Sequence, residues 1–136
     1  MSPLRYLLDT NICIYIAKHR PPSVARRFAR LASGSVGMSL ISFGELCYGA
    51  EKSAQRVQAL DALHRLSELI PVITPNDTVG ERYGVIRAQL ERAGTPVGNN
   101  DLWVAAHALD LGVTLISNNT REFERVPKLK LGNWVE

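Results

Sequence analysis

An α/β fold built on a parallel sheet is predicted by three features of the chain. Short apolar segments with β-formers recur at 5–8, 37–41 and 112–116; each is followed by a polar turn; each turn opens a stretch of helical spacing. That alternation is the pattern of βαβ units. Crossovers between parallel strands are right-handed, so strand ends of this kind, and the helix starts behind them, collect along one edge of the sheet.

The elements follow in order. Arg-Tyr-Leu-Leu at 5–8 reads as a strand, and Asp9 stands at the start of the helix behind it. In 23–31, Val24, Phe28 and Leu31 form a helical stripe that leaves Arg26, Arg27 and Arg30 on the other faces. Gly-Met-Ser-Leu-Ile at 37–41 is a second strand, and Ser42-Phe43-Gly44-Glu45 fits a capping box with Glu at its third helical position. Val57, Leu60, Leu63, Leu66 and Ile70 repeat at helical spacing, and Val79, Tyr83, Ile86 and Leu90 mark a helix over 77–92. Gly98-Asn99-Asn100 supplies a turn before Asp101, after which Leu102, Ala105, Ala106 and Leu109 make one helical face that Gly112 ends. Gly-Val-Thr-Leu-Ile at 112–116 is the strand before Ser117, and Asn119-Thr120-Arg121-Glu122 repeats the cap arrangement with Asn. Pro21-Pro22, Pro71, Pro75 and Pro96 punctuate elements, so one domain over 1–136 is expected.

Composition narrows the class. A chain of 136 residues with 46% hydrophobic content can bury a core without staples. Cys13 and Cys47 each fall inside an apolar pattern, so both are expected in the core, with no disulfide framework and no cysteine-rich zinc site. Asp9 and Asn11 interrupt the only apolar stretch near the amino terminus, and no run approaches the length of a bilayer span. A soluble cytoplasmic protein, with no membrane partner, is the expectation.

Asp9, Glu45, Asp101 and Glu122 each fall at a predicted helix start, and so are expected to meet at one sheet edge. Singly, each is explained as a cap or as a carboxylate favouring its helix dipole. Together they are surrounded by Thr10, Asn11, Asn99, Asn100, Ser117, Asn118 and Asn119, more amides and hydroxyls than capping requires. Carboxylates brought close repel, and without a counter-charge at least one would keep a proton at neutral pH. A divalent cation removes the conflict, and helix N-termini aimed at the site would help to keep the acids ionised. All-oxygen ligation suits Mg²⁺ or Mn²⁺, since zinc or copper would recruit His or Cys. His19, His64 and His107 show no ligand spacing, and His107 is expected to be packed or at the surface.

The net charge is +3, yet the gap between Asp9 and Glu45 holds Lys18, Arg20, Arg26, Arg27 and Arg30 and no acid. Arg121, Arg125, Lys128 and Lys130 form a second basic group around the fourth acid. Arg26, Arg27, Arg30 and Arg121 are the candidates for phosphate contact, against the alternative of solvated helix faces. A metal site with basic flanks suits phosphodiester hydrolysis. No glycine-rich Walker loop is present, and Asn11 stands where a phosphatase working through an aspartyl intermediate would be expected to carry its second acid.

Leu-Leu-Asp-Thr-Asn at 7–11, Ile-Ser-Phe-Gly-Glu-Leu at 41–46, Gly-Asn-Asn-Asp-Leu-Trp-Val-Ala-Ala-His-Ala at 98–108 and Ser-Asn-Asn-Thr-Arg-Glu-Phe at 117–123 resemble the four motifs of PIN-domain ribonucleases. Within them the whole chain, including the closing Val-Pro-Lys-Leu-Lys-Leu-Gly-Asn-Trp, looks like the VapC-type toxins of bacterial toxin–antitoxin pairs. The resemblance implies a three-layer α/β/α fold and an endoribonuclease using Mg²⁺ or Mn²⁺ held by Asp9 and Asp101. Glu45 and Glu122 would complete the catalytic acids, with Asn11, Ser117 and Asn119 behind them. Many PIN domains carry Asp where Asn119 stands; Glu122 is the candidate substitute for that acid, which puts a second metal in doubt. The resemblance also implies a VapB-like antitoxin, a homodimer, operator DNA bound only through the antitoxin complex, and RNA as substrate, with the anticodon loop of initiator tRNA as the candidate. The alternative, from another class, is a non-catalytic nucleic-acid or protein binding module with the carboxylates as caps.

Overall fold

The computed structural model describes residues 3–136. Strands β1 (Tyr6–Leu8), β2 (Val36–Ser39), β3 (Val72–Ile73), β4 (Thr114–Ile116) and β5 (Leu131–Gly132) form one sheet in the order β3-β2-β1-β4-β5, with every neighbouring pair parallel. Between them run helices α1 (Thr10–Lys18), α2 (Pro22–Ala29), α3 (Leu40–Glu51), α4 (Arg56–Leu69), α5 (Asp77–Arg92), α6 (Asn99–Leu111) and α7 (Thr120–Phe123).

Successive side chains on a strand point to opposite faces, and Leu7 and Leu8 divide the core accordingly. Leu7 packs with Val79 and Ile86 of α5 and with Leu102 and Ala105 of α6. Leu8 packs with Ile12 and Ile16 of α1, Val24 of α2, and Leu63 and Leu66 of α4. The sheet is therefore covered on both faces, the three-layer arrangement that a parallel sheet requires. No helix among the described residues is long and apolar enough to cross a membrane.

The strand order positions the site. From β1 the chain steps outward to β2 and β3, then returns through α5 and α6 to β4 on the other side of β1. Right-handed crossovers running in opposite directions place their helices on opposite faces. The reversal opens a crevice between the carboxyl ends of β1 and β4, where open α/β sheets bind ligands.

Several local expectations are corrected. The strand expected to run to Ile41 stops at Ser39, whose side chain accepts from the Ile41 amide at 3.2 Å and caps α3. Leu40 and Ile41 are already helical, and Ser42 is a buried interior residue whose hydroxyl lacks a partner. Glu45 thus lies in the second turn of α3, outside any capping box. Ser39 is fixed in that role by pairing with β3 and by a 2.8 Å bond to the buried His107. His107 is packed, as expected, and burial lowers its pKa. Cys13 is buried as expected, with its thiol pKa raised by burial, whereas Cys47 is only partly buried on the flank of α3. The two-residue strands β3 and β5 are additions that the sequence pattern does not predict.

Candidate metal centre and active site

Asp9 leaves β1 and caps α1, with Oδ1 accepting from the Ile12 amide at 3.0 Å. Its other oxygen, Oδ2, accepts from the Ser117 hydroxyl at the end of β4, so one hydrogen bond spans the crevice. Asp9 is 8% exposed and Ser117 is fully buried. The Ser117 hydroxyl also accepts from the Asn119 amide at 2.9 Å, which fixes the turn into α7.

Glu45 reaches the same edge from α3, where the Thr10 hydroxyl donates to its Oε1 at 2.8 Å. Asp101 comes from the first turn of α6, whose N-cap is Gly98. Glu122, in α7, accepts from the Gly98 amide at 2.6 Å and from the Asn119 carboxamide at 2.8 Å. The expected cap by Asn119 is therefore replaced by a side-chain bond, because its carboxamide turns to Glu122. A Cβ built on Gly98 would stand 3.4 Å from Glu122 Oε1 and 3.9 Å from Asp101 Oδ2, which places both acids against this glycine.

The electrostatics show the acids acting on one another. Burial raises the Asp101 pKa to about 6, and the charges of Glu122, Glu45 and Asp9 push it in the same direction. Burial also raises Asp9, against the lowering by Ser117 and by the Ile12 amide. Glu122 moves the other way, held down chiefly by the Gly98 amide. Backbone amides at the start of α1 pull the Asp9 pKa down, in the expected direction, but burial outweighs them. The pKa of Asp101 is brought close to neutral pH, so its negative charge is held at a cost.

The candidates that converge are Asp9, Glu45, Asp101, Glu122, Ser117 and Asn119. Asn11 contributes its backbone amide to Asp9. Arg26, Arg27 and Arg30 are exposed on α2 and its C-cap, in hydrogen bonds with none of the acids, and Arg121 is exposed on α7. Arg125 is the basic residue whose charge reaches Glu122, and it donates to the Pro96 carbonyl at 2.8 Å. The Gly98 anchor was not anticipated; its only signal was a glycine directly before the Asn-Asn-Asp turn.

Among the described residues, no three His, Cys, Asp or Glu side chains close around one point as a ready-made ion cage. Two carboxylates with room for water suit Mg²⁺, which keeps several waters and takes one or two protein carboxylates. Raised pKa values at Asp9 and Asp101, with only oxygen donors nearby, fit such an ion.

An open α/β sheet with carboxylates grouped at its switch point defines a class of acid-based site, and comparison with known proteins places it. The PIN domain family model matches residues 6–129. "Ribonuclease VapC1" of Haemophilus influenzae (strain R2866) is 40% identical over 132 residues, covering 96% of this chain and 98% of that protein. "tRNA(fMet)-specific endonuclease VapC" of Shigella flexneri is 41% identical over 131 residues, covering 96% and 98%. The crystal structure of DNA bound VapBC from Salmonella typhimurium superposes with a TM-score of 0.90 at 37% identity, over 96% of this chain and 98% of that one. The chain belongs to the PIN-domain family, among its VapC ribonucleases.

Proposed function

We propose that the protein is a Mg²⁺- or Mn²⁺-dependent endoribonuclease, the toxin of a type II toxin–antitoxin pair, with Asp9 and Asp101 holding the ion. The observation that carries this reading is the pKa of Asp101, which burial raises to about 6 and the charges of Glu122, Glu45 and Asp9 push the same way, a cost that a bound cation relieves. The ion would lower the pKa of a bound water and offset charge on the phosphate. Asp9 is held for that role from two sides, and each carboxylate oxygen keeps a lone pair beyond its hydrogen bond. Thr10 fixes Glu45, and Gly98 with Asn119 fix Glu122, so both acids are oriented before substrate arrives. A cation held there would favour the ionised form of Asp101.

The relatives supply the rest of the proposal. The Shigella flexneri protein carries the name tRNA(fMet)-specific endonuclease, which supports initiator tRNA as the substrate here. The Salmonella typhimurium complex supports a VapB-like antitoxin as partner, with operator DNA met through that complex. Arg26, Arg27, Arg30 and Arg121 would hold RNA phosphates. The decisive experiment incubates the purified protein with initiator tRNA: cleavage should require Mg²⁺ or Mn²⁺, stop with EDTA and return with either ion. Cleavage that survives exhaustive chelation, in a preparation whose Asp9→Asn counterpart is silent, rules out the metal mechanism.

A further inference from the structure

Tyr48, on α3, is 66% exposed, with the Lys52 ammonium 4.7 Å from its ring centroid. It stands three residues after Glu45, about 4.5 Å further along the helix axis. Leu40, Gly44 and Tyr48 follow each other at four-residue spacing and share one side of α3. That side forms a wall of a cleft of about 740 Å³, which runs from Tyr48 past Gly44 to Glu45, Thr10 and Asn100. Its volume lies in the range of about 300–1,000 Å³ typical of ligand sites.

Gly44 gives the cleft its meaning. Glycine is the least favourable residue after proline in a helix interior, and a Cβ built here would meet no atom within 4 Å. The packing of the chain therefore gives no reason for a glycine at this position. Among the helical glycines of which this is true, Gly44 is the one that lines this cleft. A bare stretch of helix backbone between an exposed aromatic ring and a proposed catalytic acid admits a flat group lying close against it.

We infer that this cleft binds the nucleotide next to the scissile phosphate, with its base stacked on Tyr48 and lying over Gly44. The inference rests on the ribonuclease reading and deepens it. A cleft that opens onto Glu45 must receive whatever flanks the bond being cut. Aromatic rings bind single-stranded RNA by stacking, and neighbouring cations hold its backbone, which Lys52 is placed to do. Asn100 and Thr10 line the same cleft and bring polar side chains to it that a nucleotide can meet.

The test measures binding of labelled oligoadenine and oligouridine in an Asp101→Asn background, which prevents cleavage, alongside cleavage by the otherwise wild-type enzyme. Tyr48→Ala should weaken binding by about 5- to 100-fold, the loss of one stacked base, while Tyr48→Phe should bind as the parent does. Adenine, the stronger stacker, should bind better than uracil, and Tyr48→Ala should shrink that preference. Gly44→Ala should raise the melting temperature, whereas Gly44→Gln should fill the cleft and lower kcat/KM without unfolding the protein. If Tyr48→Ala and Gly44→Gln bind and cut RNA like the parent, the inference fails and the ribonuclease reading stands. If the unsubstituted protein neither binds nor cuts RNA, the ribonuclease reading itself fails and the inference falls with it. Should Tyr48→Ala lose RNA only by halving the mass seen in sedimentation, the cleft joins two copies of the chain and the inference is overturned.

Discussion

Asp101→Asn is expected to abolish RNA cleavage while making the metal-free protein more stable at pH 7. The pKa of Asp101 rises from the ordinary 3.8 to about 6 on folding. At about 1.4 kcal/mol per pKa unit, the full rise corresponds to about 3 kcal/mol. The side chain is only half-buried, and water screens the charges that act on it, which leaves about 1–2 kcal/mol. Between pH 4 and 6 the native protein holds more protons here than the unfolded chain, so this group's contribution to stability falls as pH rises and stays lost above 6. Asparagine carries no such cost. With EDTA present, its melting temperature at pH 7 should lie above wild type by about 3–8 °C, and the gap should close towards pH 4. Burial-driven titration of His107 shifts both proteins alike, so the difference reports Asp101 together with its coupling to Glu122. Saturating Mg²⁺ should then raise wild type by more, since an ion at a hundred times its Kd adds about 2.7 kcal/mol. A carboxylate serving only the helix dipole predicts the opposite sign, a loss of about 0.3–1 kcal/mol. A variant that melts lower at pH 7, or a gap that widens in acid, refutes the charge-conflict reasoning.

Ser117→Ala removes the donor to a buried carboxylate and should cost about 1.5–3 kcal/mol near neutral pH, with the deficit shrinking as Asp9 protonates in acid; chemical denaturation across pH reads both. His107→Leu leaves the Ser39 hydroxyl without its buried partner and should lower stability by about 1–3 kcal/mol, measured in urea. Replacing Arg26, Arg27 and Arg30 with Gln should flatten the salt dependence of RNA binding by about 0.7 for each phosphate no longer neutralised, while leaving the cut site unchanged on sequencing gels. Wild-type affinity and slope in that triple variant would assign the face to solvent or to an acidic antitoxin surface.

The parts of the site legible in the sequence are those that local chemistry fixes. Asp9 as a cap, Gly112 as a helix stop at φ 70° and the helix over 77–92 each follow from interactions between residues at most a few positions apart. Ser42-x-x-Glu45 satisfied the same kind of rule and failed. Nothing within four residues of Ser39 distinguishes it from Ser42; the choice is made by β3, paired at Ile73, and by His107, 68 residues away. The strands β3 and β5 are two residues long, too short for alternation to be seen, and exist because β2 and β4 present an edge to them.

The same limit governs the site itself. Its acids could be placed at one edge from the βαβ pattern, because right-handed crossover is a rule of topology that holds whatever the side chains touch. How each acid is held could not be derived, since the hydrogen bonds concerned join residues 24, 35 and 108 positions apart. These long-range bonds give the acids unequal environments. The Gly98 amide keeps Glu122 below the ordinary range, and with that charge retained beside it, half-buried Asp101 must rise. A chain optimised for stability alone would place an amide or an apolar side chain at 101, since the helix-dipole gain of about 0.3–1 kcal/mol from a first-turn acid is smaller than the cost of burying its charge. On the proposed function the destabilised carboxylate is explained by the ion it would hold, and the sign of the Asp101→Asn stability change separates that explanation from capping.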